Sequence, residues 1–250
     1  MRHAPVNILG TYIENISQKE VIERIETAIN ESRQVHLEGV NAGKLVDMET
    51  DTSLRESVHC SNLITADGQS VVWASKFLGK PLKERVAGID LMIKLVEIAA
   101  EKGYKVYLFG AKEEVVKKVV EGYTEKYGPS LIAGYRNGYF KPEDEVQIAK
   151  NIAQSKANML FVAITSPIKE NFLKTHKEIL KDVNLIMGVG GSFDVIAGVT
   201  KRAPLWMQKI GMEWFYRLIQ EPKRMWKRYL IGNSKFIGLV LKERFLGTKK

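Results

Sequence analysis

Short apolar runs alternate with amphipathic segments along the first 195 residues. Several of these runs are apolar at consecutive positions, which is typical of strands covered on both faces of a sheet. The runs predict strands at residues 35–41, 62–66, 105–109, 131–133, 159–164 and 185–189. The amphipathic segments predict helices at residues 89–102, 113–127, 142–155 and 167–181. This alternation predicts an α/β fold with a Rossmann-like, mostly parallel sheet and flanking helices.

The pattern changes after Gly198, where only helical spacing remains. Helices are predicted at residues 204–219, 222–231 and 234–246, with breaks at Pro222 and at Gly232-Asn233. We therefore divide the chain into an α/β body, residues 1–195, and a C-terminal helical appendage, residues 196–250. The last predicted helix is apolar almost all round, so it is expected to pack against another surface.

The appendage carries the positive charge of the chain. It has 13 Lys and Arg residues against three Asp and Glu residues, and the whole chain has a net charge of +9, so the body is close to neutral. Three of the four tryptophans, Trp206, Trp214 and Trp226, lie in it. The predicted helix at 222–231 has a cationic face with Lys223, Arg224, Lys227 and Arg228, and an apolar face with Met225, Trp226, Tyr229 and Leu230. This composition indicates an anionic partner, either a membrane surface or a nucleic acid.

Several classes of protein and of site are disfavoured. The single cysteine, Cys60, excludes an intrachain disulfide framework and is typical of a reducing compartment. No signal peptide is expected at the N-terminus and no apolar run is long enough to span a bilayer, so membrane contact is expected to be peripheral. The histidines lack metal-ligand spacing and no Asp-x-Asp motif occurs, so no metal site is expected. Dinucleotide, P-loop and nucleophile-elbow motifs are absent as well.

Glycines and small polar residues follow the predicted strands. In a parallel sheet, ligands bind beyond the carboxyl ends of the strands, and such turns let backbone N–H groups approach a phosphate. Several turns of this kind on one edge predict a nucleotide-type ligand. The turns are Asn41-Ala42-Gly43-Lys44, Asp67-Gly68-Gln69-Ser70, Gly110-Ala111, Thr165-Ser166-Pro167 and the segment from Gly188 to Ser192.

Asp67 is the carboxylate that stands out, because it leaves an apolar strand into a turn made flexible by Gly68. This position fits a general base that faces a ligand, and it fits equally an Asx turn or a helix cap. Asp90 is expected to cap the helix that it begins, whereas Asp194 either caps or contacts a ligand. Arg85 is expected to be a solvated charge unless the loop at residues 79–88 folds over the site.

The chain resembles the WecG/TagA/CpsF glycosyltransferase family, and within it the transferases of the wall teichoic acid linkage unit. The motifs that carry the resemblance occur in order through most of the chain. They are Asn41-Ala42, Ala66-Asp67-Gly68, the run from Glu84 to Asp90, Ser166-Pro167 with Glu170, the run from Gly188 to Asp194, Arg202-Ala203-Pro204, Glu213-Trp214 with Arg217, Glu221-Pro222, and Arg228-Tyr229. One departure is that many members carry Lys-Gln where this chain has Ile168-Lys169.

The resemblance implies an inverting transfer of N-acetylmannosamine from UDP to the 4-hydroxyl of N-acetylglucosamine on undecaprenyl diphosphate, giving a β-1,4 linkage without a metal. It implies Asp67 as the base, with Arg85 as a second catalytic residue. The strand-end turns, the cationic helix face and the resemblance together give the expected substrate-binding residues, which are Asn41, Gly68, Gly110, Ala111, Thr165, Ser166, Lys169, Glu170, Gly190, Gly191, Asp194, Arg217, Arg224 and Arg228. The appendage would sit on the cytoplasmic face of the membrane and complete the site.

Other functions remain open from the sequence. One is a nucleic-acid-binding module with a basic aromatic tail, although the cations and aromatics of the tail lie on opposite helix faces. Another is a soluble nucleotide-binding enzyme whose apolar segment at 234–246 forms a homo-oligomer. A third is a related transferase that uses another UDP-sugar. The membrane-associated transferase, with no nucleic acid as partner, is the interpretation that the residues and the resemblance favour together.

Overall fold

The computed structural model describes residues 4–247, without the side chains of Arg224 and Arg228. The chain begins with β1 (Val6–Ile8) and β2 (Thr11–Ile13), which pair antiparallel, and continues with helix α1 (Gln18–Asn30). Ser17 and Glu20 form a capping box that fixes the start of α1. None of these elements is among the predicted ones. Strands β1 and β2 have three residues each and are too short to show a period, whereas α1 has buried residues at helical spacing, Val21, Ile25 and Ala28, and could have been predicted.

Within the described residues, six parallel strands form the central sheet, in the order β4-β3-β8-β7-β5-β6. The predicted strands and the predicted α/β class are confirmed, with ends shifted by a few residues. The strands are β3 (Val35–Val40), β4 (Leu63–Ala66), β5 (Val106–Gly110), β6 (Ile132–Arg136), β7 (Met159–Ala163) and β8 (Leu185–Gly188). Because every strand pair is parallel, the carboxyl ends of all strands lie on one edge.

Helices cover both faces of this sheet. Asn41 caps α2 by accepting a hydrogen bond from Lys44 N at 3.1 Å, and Asp51 caps α3 in the same way at Leu54 N. Gly103, with φ of 73°, ends α5 in the left-handed conformation that favours glycine. The helices are α2 (Ala42–Asp47), α3 (Thr52–His59), α4 (Gln69–Phe77), α5 (Gly88–Lys102), α6 (Glu113–Tyr127), α7 (Glu145–Gln154), α8 (Ile168–Thr175) and α9 (Ser192–Ile196).

Two predicted helices of the body differ from the structure. The predicted helix at 142–155 opens with a 3-10 turn, Pro142–Asp144, before α7 begins. The predicted helix at 167–181 ends early, because α8 stops at Thr175 and the chain continues through turns to β8. His176, which follows α8, is buried and packs against Phe172, with ring centroids 4.8 Å apart.

The appendage also divides differently from the prediction. The predicted helix at 204–219 is two helices, α10 (Leu205–Lys209) and α11 (Glu213–Gln220), because Gly211 between them has φ of 75°. The predicted break at Gly232-Asn233 is wrong. Helix α12 (Pro222–Trp226) passes through a π-helical turn (Lys227–Ile231) into α13 (Gly232–Leu246), and Gly232 itself has helical φ and ψ. A glycine permits a break but does not impose one when packing holds the helix.

That packing is between α13 and the body. Phe236 and Val240 are buried in the apolar core formed by β1, β2, α2, α3 and α4. Glu243, one turn further along, is also buried, and its Oε2 accepts a hydrogen bond from Leu9 N at 2.8 Å. The opposite face of α13 stays exposed, including Ile237 and Phe245. In the described residues, no helix has both the length and the apolar character to cross a bilayer.

Candidate functional site

A cleft of about 2040 Å³ opens along the carboxyl edge of the sheet and continues beneath the appendage. Nearly all of the predicted site residues line it, although they come from distant parts of the sequence. The lining includes Asn41, Asp67, Gly68, Arg85, Ala111, Thr165, Ser166, Lys169, Glu170, Gly190, Gly191, Asp194 and Arg217. The fold therefore brings the strand-end turns and the appendage into one site.

Three of the predicted site residues are not among those that line the cleft: Gly110, Arg224 and Arg228. Gly110 packs beneath it, where a Cβ atom would lie 2.4 Å from the carbonyl carbon and oxygen of Ala163. The glycine is therefore explained by close packing of β5 on β7. The side chains of Arg224 and Arg228 lie outside the described part of the structure, so their roles stay predictions.

Asp67 lies at the lip of the cleft, and its backbone and side chain are both held. Its Oδ1 accepts a hydrogen bond from Gly88 N at 2.9 Å, which places the carboxylate at the N-terminus of α5. No described group donates a hydrogen bond to Oδ2. Asp67 thus acts as a cap, but for α5 rather than for the helix that follows it in sequence. Because capping uses Oδ1, the other carboxylate oxygen is available to a ligand in the cleft.

Two glycines allow close packing around the turn that contains Asp67. A Cβ atom on Gly39 would lie 3.0 Å from the Cβ of Asp67. Gly68 has the same relation to Asn41, whose Cβ is 3.0 Å from the position that a Gly68 Cβ would take. Both contacts are closer than side chains normally allow, so glycine at these positions brings the ends of β3 and β4 together.

Arg85 lies against the turn that contains Asp67, so it is not the solvated charge expected from its position in the loop. Its Nε donates a hydrogen bond to the carbonyl oxygen of Asp67 at 2.6 Å. Its Nη2 donates to Oε2 of Glu213, in the appendage, at 2.9 Å. Arg85 therefore links the turn after β4 to the first turn of α11.

Glu213 continues this link to a second arginine. Arg202 Nε lies 3.5 Å from Glu213 Oε1, and the two terminal nitrogens of Arg202 donate to the two oxygens of Asp90 at 2.6 and 2.7 Å. The hydrogen bond and charge of Asp90 raise the pKa of Arg202 despite partial burial. Asp90 makes no capping hydrogen bond to α5, so the capping role expected for it is wrong. We call Arg85, Glu213, Arg202 and Asp90 the appendage bridge.

A second charged group is buried in the floor of the cleft. Glu38, in the middle of β3, is 1% exposed, and Lys169 and Glu170 of α8 are 5% and 2% exposed. Lys169 Nζ donates to both oxygens of Glu38, at 2.6 and 2.8 Å, and lies 3.2 Å from Glu170 Oε1. Lys44 of α2 pairs with Glu38 and, at 2.9 Å, with Glu170 Oε1. We call these four residues the buried ion cluster; its formal charges sum to zero.

In the cluster, the opposite charges stabilise the ionised forms of the side chains and outweigh the cost of burial. Burial alone would raise the pKa of Glu38, but Lys169 and Lys44 outweigh it and lower that pKa to about 2. The pKa of Glu170 is lowered for the same reason, and the pKa of Lys44 is raised because the two carboxylates outweigh its burial. Glu38, Glu170 and Lys44 are therefore ionised at neutral pH. Glu170 Oε2 is buried with no hydrogen-bond partner among the described residues.

His36 lies two residues before Glu38 on the same strand. Burial lowers its pKa to about 4, and the attraction of the cluster carboxylates does not overcome that effect. His36 is therefore neutral at pH 7.

The glycine-rich turn after β8 forms another wall of the cleft. The side chain of Lys169 crosses the backbone at Gly188, where an added Cβ would overlap the lysine amine. Gly190 has φ of 51°, and the position of a Cβ on Gly191 would lie 3.8 Å from Asp194 Oδ2 and 3.9 Å from an Arg217 Nη1 atom. Asp194 also receives backbone hydrogen bonds from Val199 and Thr200 on its carbonyl oxygen. This turn thus presents small residues to a ligand, and the side chains of Asp194 and Arg217 lie close beside it.

One side of the cleft is apolar. Trp73 and Phe77 of α4 are each nearly half exposed and line it on the body side. Leu230, Ile237 and Leu241 line it on the appendage side and are also exposed. The cleft therefore has polar turns at the sheet edge and an apolar channel between α4 and the appendage, which suits a ligand with a polar head and a hydrocarbon chain.

Metal ligands do not gather in the described residues. No three His, Cys, Asp or Glu side chains within residues 4–247 are placed to hold a metal ion together.

Sequence reasoning missed Glu38, named Lys44 only as part of a strand-end turn, and assigned no role to Glu213 or Arg202. A glutamate inside an otherwise apolar strand was the available signal for Glu38, since a buried carboxylate needs a cationic partner. No local signal could name that partner, because Lys169 is 131 residues away.

Comparison with known proteins identifies the family of this chain. The sequence model of the "Glycosyl transferase WecG/TagA/CpsF family" matches residues 6–250. The N-acetylglucosaminyldiphosphoundecaprenol N-acetyl-beta-D-mannosaminyltransferase of Bacillus subtilis (strain 168) is 40% identical over 183 residues, which cover 73% of this chain and 70% of the relative. The Staphylococcus aureus (strain MW2) enzyme of the same name is 33% identical over 240 residues, 95% of this chain and 91% of the relative. The chain therefore belongs to the WecG/TagA/CpsF family of glycosyl transferases.

Proposed function

We propose that this glycosyl transferase moves N-acetylmannosamine from UDP to the 4-hydroxyl of N-acetylglucosamine on undecaprenyl diphosphate. The observation that carries the proposal is a single cleft lined by Asp67, by polar strand-end turns and by exposed apolar side chains of α4 and the appendage. A UDP-sugar suits the polar turns, and a lipid-linked sugar suits the channel. The names of the relatives from Bacillus subtilis and Staphylococcus aureus support this choice of donor and acceptor.

In the proposed reaction Asp67 is the general base. It takes the proton of the acceptor hydroxyl as the oxygen attacks C1 of the donor sugar. The bond between C1 and the diphosphate oxygen breaks, and UDP leaves with the electron pair. A direct displacement of this kind inverts an α-linked donor to a β-linked product and needs no covalent sugar–enzyme intermediate. Asp67 lines the cleft, and no group among the described residues donates a hydrogen bond to its Oδ2, which supports this role.

The departing UDP also needs stabilisation. We propose that protein groups supply it without a metal. Arg217 beside the turn at Gly190-Gly191 is the cation that the described residues place there, and glycine turns allow backbone N–H groups to approach phosphate oxygens. Arg224 and Arg228 are proposed as further phosphate ligands on the basis of the family resemblance alone.

The appendage is proposed to hold the enzyme on the cytoplasmic face of an anionic membrane. Several of its large apolar residues are exposed, among them Leu205 at 72%, Trp206 at 62% and Trp226 at 44%. These values argue against an appendage whose tryptophans are buried in the core. Each Lys or Arg near an anionic leaflet contributes about 1 kcal/mol of attraction, and exposed tryptophans favour the interfacial layer. The apolar channel between α4 and the appendage would then open toward the lipid.

Asp67→Asn tests the chemistry. We expect transfer to a short-chain lipid-linked N-acetylglucosamine diphosphate to fall by about 10²–10⁴-fold, since general-base catalysis has that magnitude. UDP binding, measured by calorimetry, should be nearly unchanged. Asp182→Asn is the control, because Asp182 is an exposed carboxylate in a pocket with Lys156 and Asn158, apart from the cleft. Wild-type turnover in Asp67→Asn would exclude Asp67 as the base, and a panel of UDP-sugars in the same assay identifies the donor.

Vesicle co-sedimentation tests the membrane role. The full chain should bind vesicles that contain phosphatidylglycerol and bind phosphatidylcholine vesicles weakly, and a Trp206→Ala/Trp226→Ala variant should bind less. An oligonucleotide titration serves as the alternative arm. Strong, steeply salt-dependent oligonucleotide binding without vesicle binding would instead favour a nucleic-acid partner.

A further inference from the structure

The segment from Arg85 to Asp90 holds the turn that carries Asp67. Val86 N donates a hydrogen bond to Ala66 O at 2.9 Å, and Arg85 Nε donates to Asp67 O at 2.6 Å. Gly88 N donates to Asp67 Oδ1 at 2.9 Å. The orientation of the Asp67 carboxylate therefore depends on where this short segment lies.

The appendage holds both ends of the same segment. Glu213 pairs with Arg85 at one end, and Arg202 binds both carboxylate oxygens of Asp90 at the other. Glu213 also faces Arg202 at an ion-pair distance of 3.5 Å, so one carboxylate contacts both arginines. The two arginines and the two carboxylates balance in charge. Glu213 is 8% exposed, so neutralising it would leave the Arg85 guanidinium without this counterion in a region largely shielded from water.

Glu213 reaches the segment because of its place in the appendage. It begins α11, directly after the turn at Gly211, which packs closely on Gln69 and Trp73 of α4. A carboxylate in the first turn of a helix is also favoured by the helix dipole. The appendage can therefore place this carboxylate beside Arg85 only when it is docked on the body.

We infer that Glu213 is a positioning residue: it holds the segment from Arg85 to Asp90 and thereby sets the orientation of the Asp67 carboxylate. The inference rests on the proposed role of Asp67 as general base. Glu213, Arg202 and Asp90, which all lie in the sequence motifs, then have one role in common. Together they make the orientation of the Asp67 carboxylate depend on the docked appendage.

Kinetics of the full-length Glu213→Gln variant test the inference. Glutamine keeps the size and one oxygen acceptor but removes the charge. We expect kcat to fall by about 10–100-fold with the donor KM changed less than about 3-fold, because misplacing a catalytic group costs rate rather than binding. Glu243→Gln is the matched control, since Glu243 is equally buried in the appendage but binds Leu9 and Lys80 instead. Its kcat should stay near that of the wild type.

A double-mutant cycle tests whether Glu213 acts through Arg85. In an Arg85→Ala background, Glu213→Gln should cost less than about 3-fold in kcat, because the contact that it removes is already absent. Equal, multiplicative losses in both backgrounds would overturn the inference, as would a Glu213→Gln variant with wild-type kcat.

Hydrogen exchange provides a readout that does not depend on turnover. In Glu213→Gln, the amides of Val86 and Gly88 should exchange about 10-fold faster than in the wild type and in Glu243→Gln, because the segment that contains them opens more often. Unchanged exchange there would overturn the inference. Asp67→Asn separates the two proposals: if it keeps wild-type turnover the base assignment fails, whereas if it is inactive and Glu213→Gln is normal, only the positioning role fails.

Discussion

Replacing Lys169 with methionine removes a cation from the buried ion cluster while keeping most of the side-chain length. Lys169 contacts Glu38 at 2.6 and 2.8 Å and Glu170 at 3.2 Å, and the carboxylates are 1% and 2% exposed. In Lys169→Met they share Lys44 alone, so the formal charge of the cluster changes from zero to −1. Breaking a buried pair by removing one partner costs about 3–5 kcal/mol, because the remaining charge is uncompensated.

Urea unfolding at pH 7 measures this loss. With an unfolding slope of about 3 kcal/mol per molar urea for a chain of this size, the midpoint should fall by about 1–2 M. The loss should shrink as the pH is lowered. In the wild type the pKa of Glu38 is lowered from 4.5 to about 2, so its contribution to stability is present above pH 4.5 and disappears as the pH falls toward 2. The variant lacks much of that contribution, so the two stability curves should converge in this window.

Two further variants make the test specific to buried charge. Glu38→Gln combined with Lys169→Met leaves the Lys44–Glu170 pair and a neutral cluster, so it should recover most of the lost stability. Lys174→Met removes an exposed pair with Glu56, 2.8 Å apart, and should change the midpoint far less. A Lys169→Met midpoint within the range of that surface variant, or a double variant no more stable than the single one, would refute the reasoning.

Further predictions concern the strand and its glycines. The pKa of His36 is lowered from 6.5 to about 4, so between these pH values only the unfolded state gains a proton. The free energy of unfolding of the wild type should therefore fall by about 3 kcal/mol from pH 6.5 to pH 4. Urea titrations at several pH values should show that His36→Gln lacks this pH dependence. Gly110→Ala should lower the free energy of unfolding by about 3–5 kcal/mol, because Gly110 has φ of 133° and an added Cβ would lie 2.4 Å from backbone atoms of Ala163. A urea-unfolding midpoint equal to that of the wild type would contradict this. Gly39→Ala places a Cβ 3.0 Å from Asp67, so kcat should fall about 10-fold with little change in melting temperature, and an unchanged kcat would show that the turn tolerates the shift.

Much of the body could be predicted from local sequence. Strands β5, β7 and β8 are apolar at consecutive positions, because both faces of the sheet are covered there, and this pattern needs no knowledge of strand order. In a parallel sheet all of the carboxyl ends share an edge, so the turn at Asp67-Gly68 and the turn at Gly190-Gly191 could be assigned to one cleft before any contact was known. The cationic appendage was equally visible, because net charge depends on composition alone.

Where local patterns were weak, packing decided the structure. Strands β1 and β2 have three residues each, so neither shows a period, yet they form part of the core that receives Phe236 of α13. The same packing keeps α13 helical through Gly232, where local propensity predicts a break. Gly211 shows the opposite outcome, since its positive φ divides a segment that has helical spacing.

The α/β class, the sheet edge with the candidate site, the position of Asp67 in a strand-end turn and the charge of the appendage could all be predicted from the sequence, because each depends on neighbouring residues or on composition. The pairing of Glu38 with Lys169, 131 residues away, and of Glu213 with Arg85, 128 residues away, follows from the three-dimensional fold. A charged side chain can find many partners of opposite sign along a chain. Strand order and appendage docking bring one of these partners into contact. Because the pair is buried, losing the partner would cost folding free energy, since an unpaired charge is unfavourable away from water.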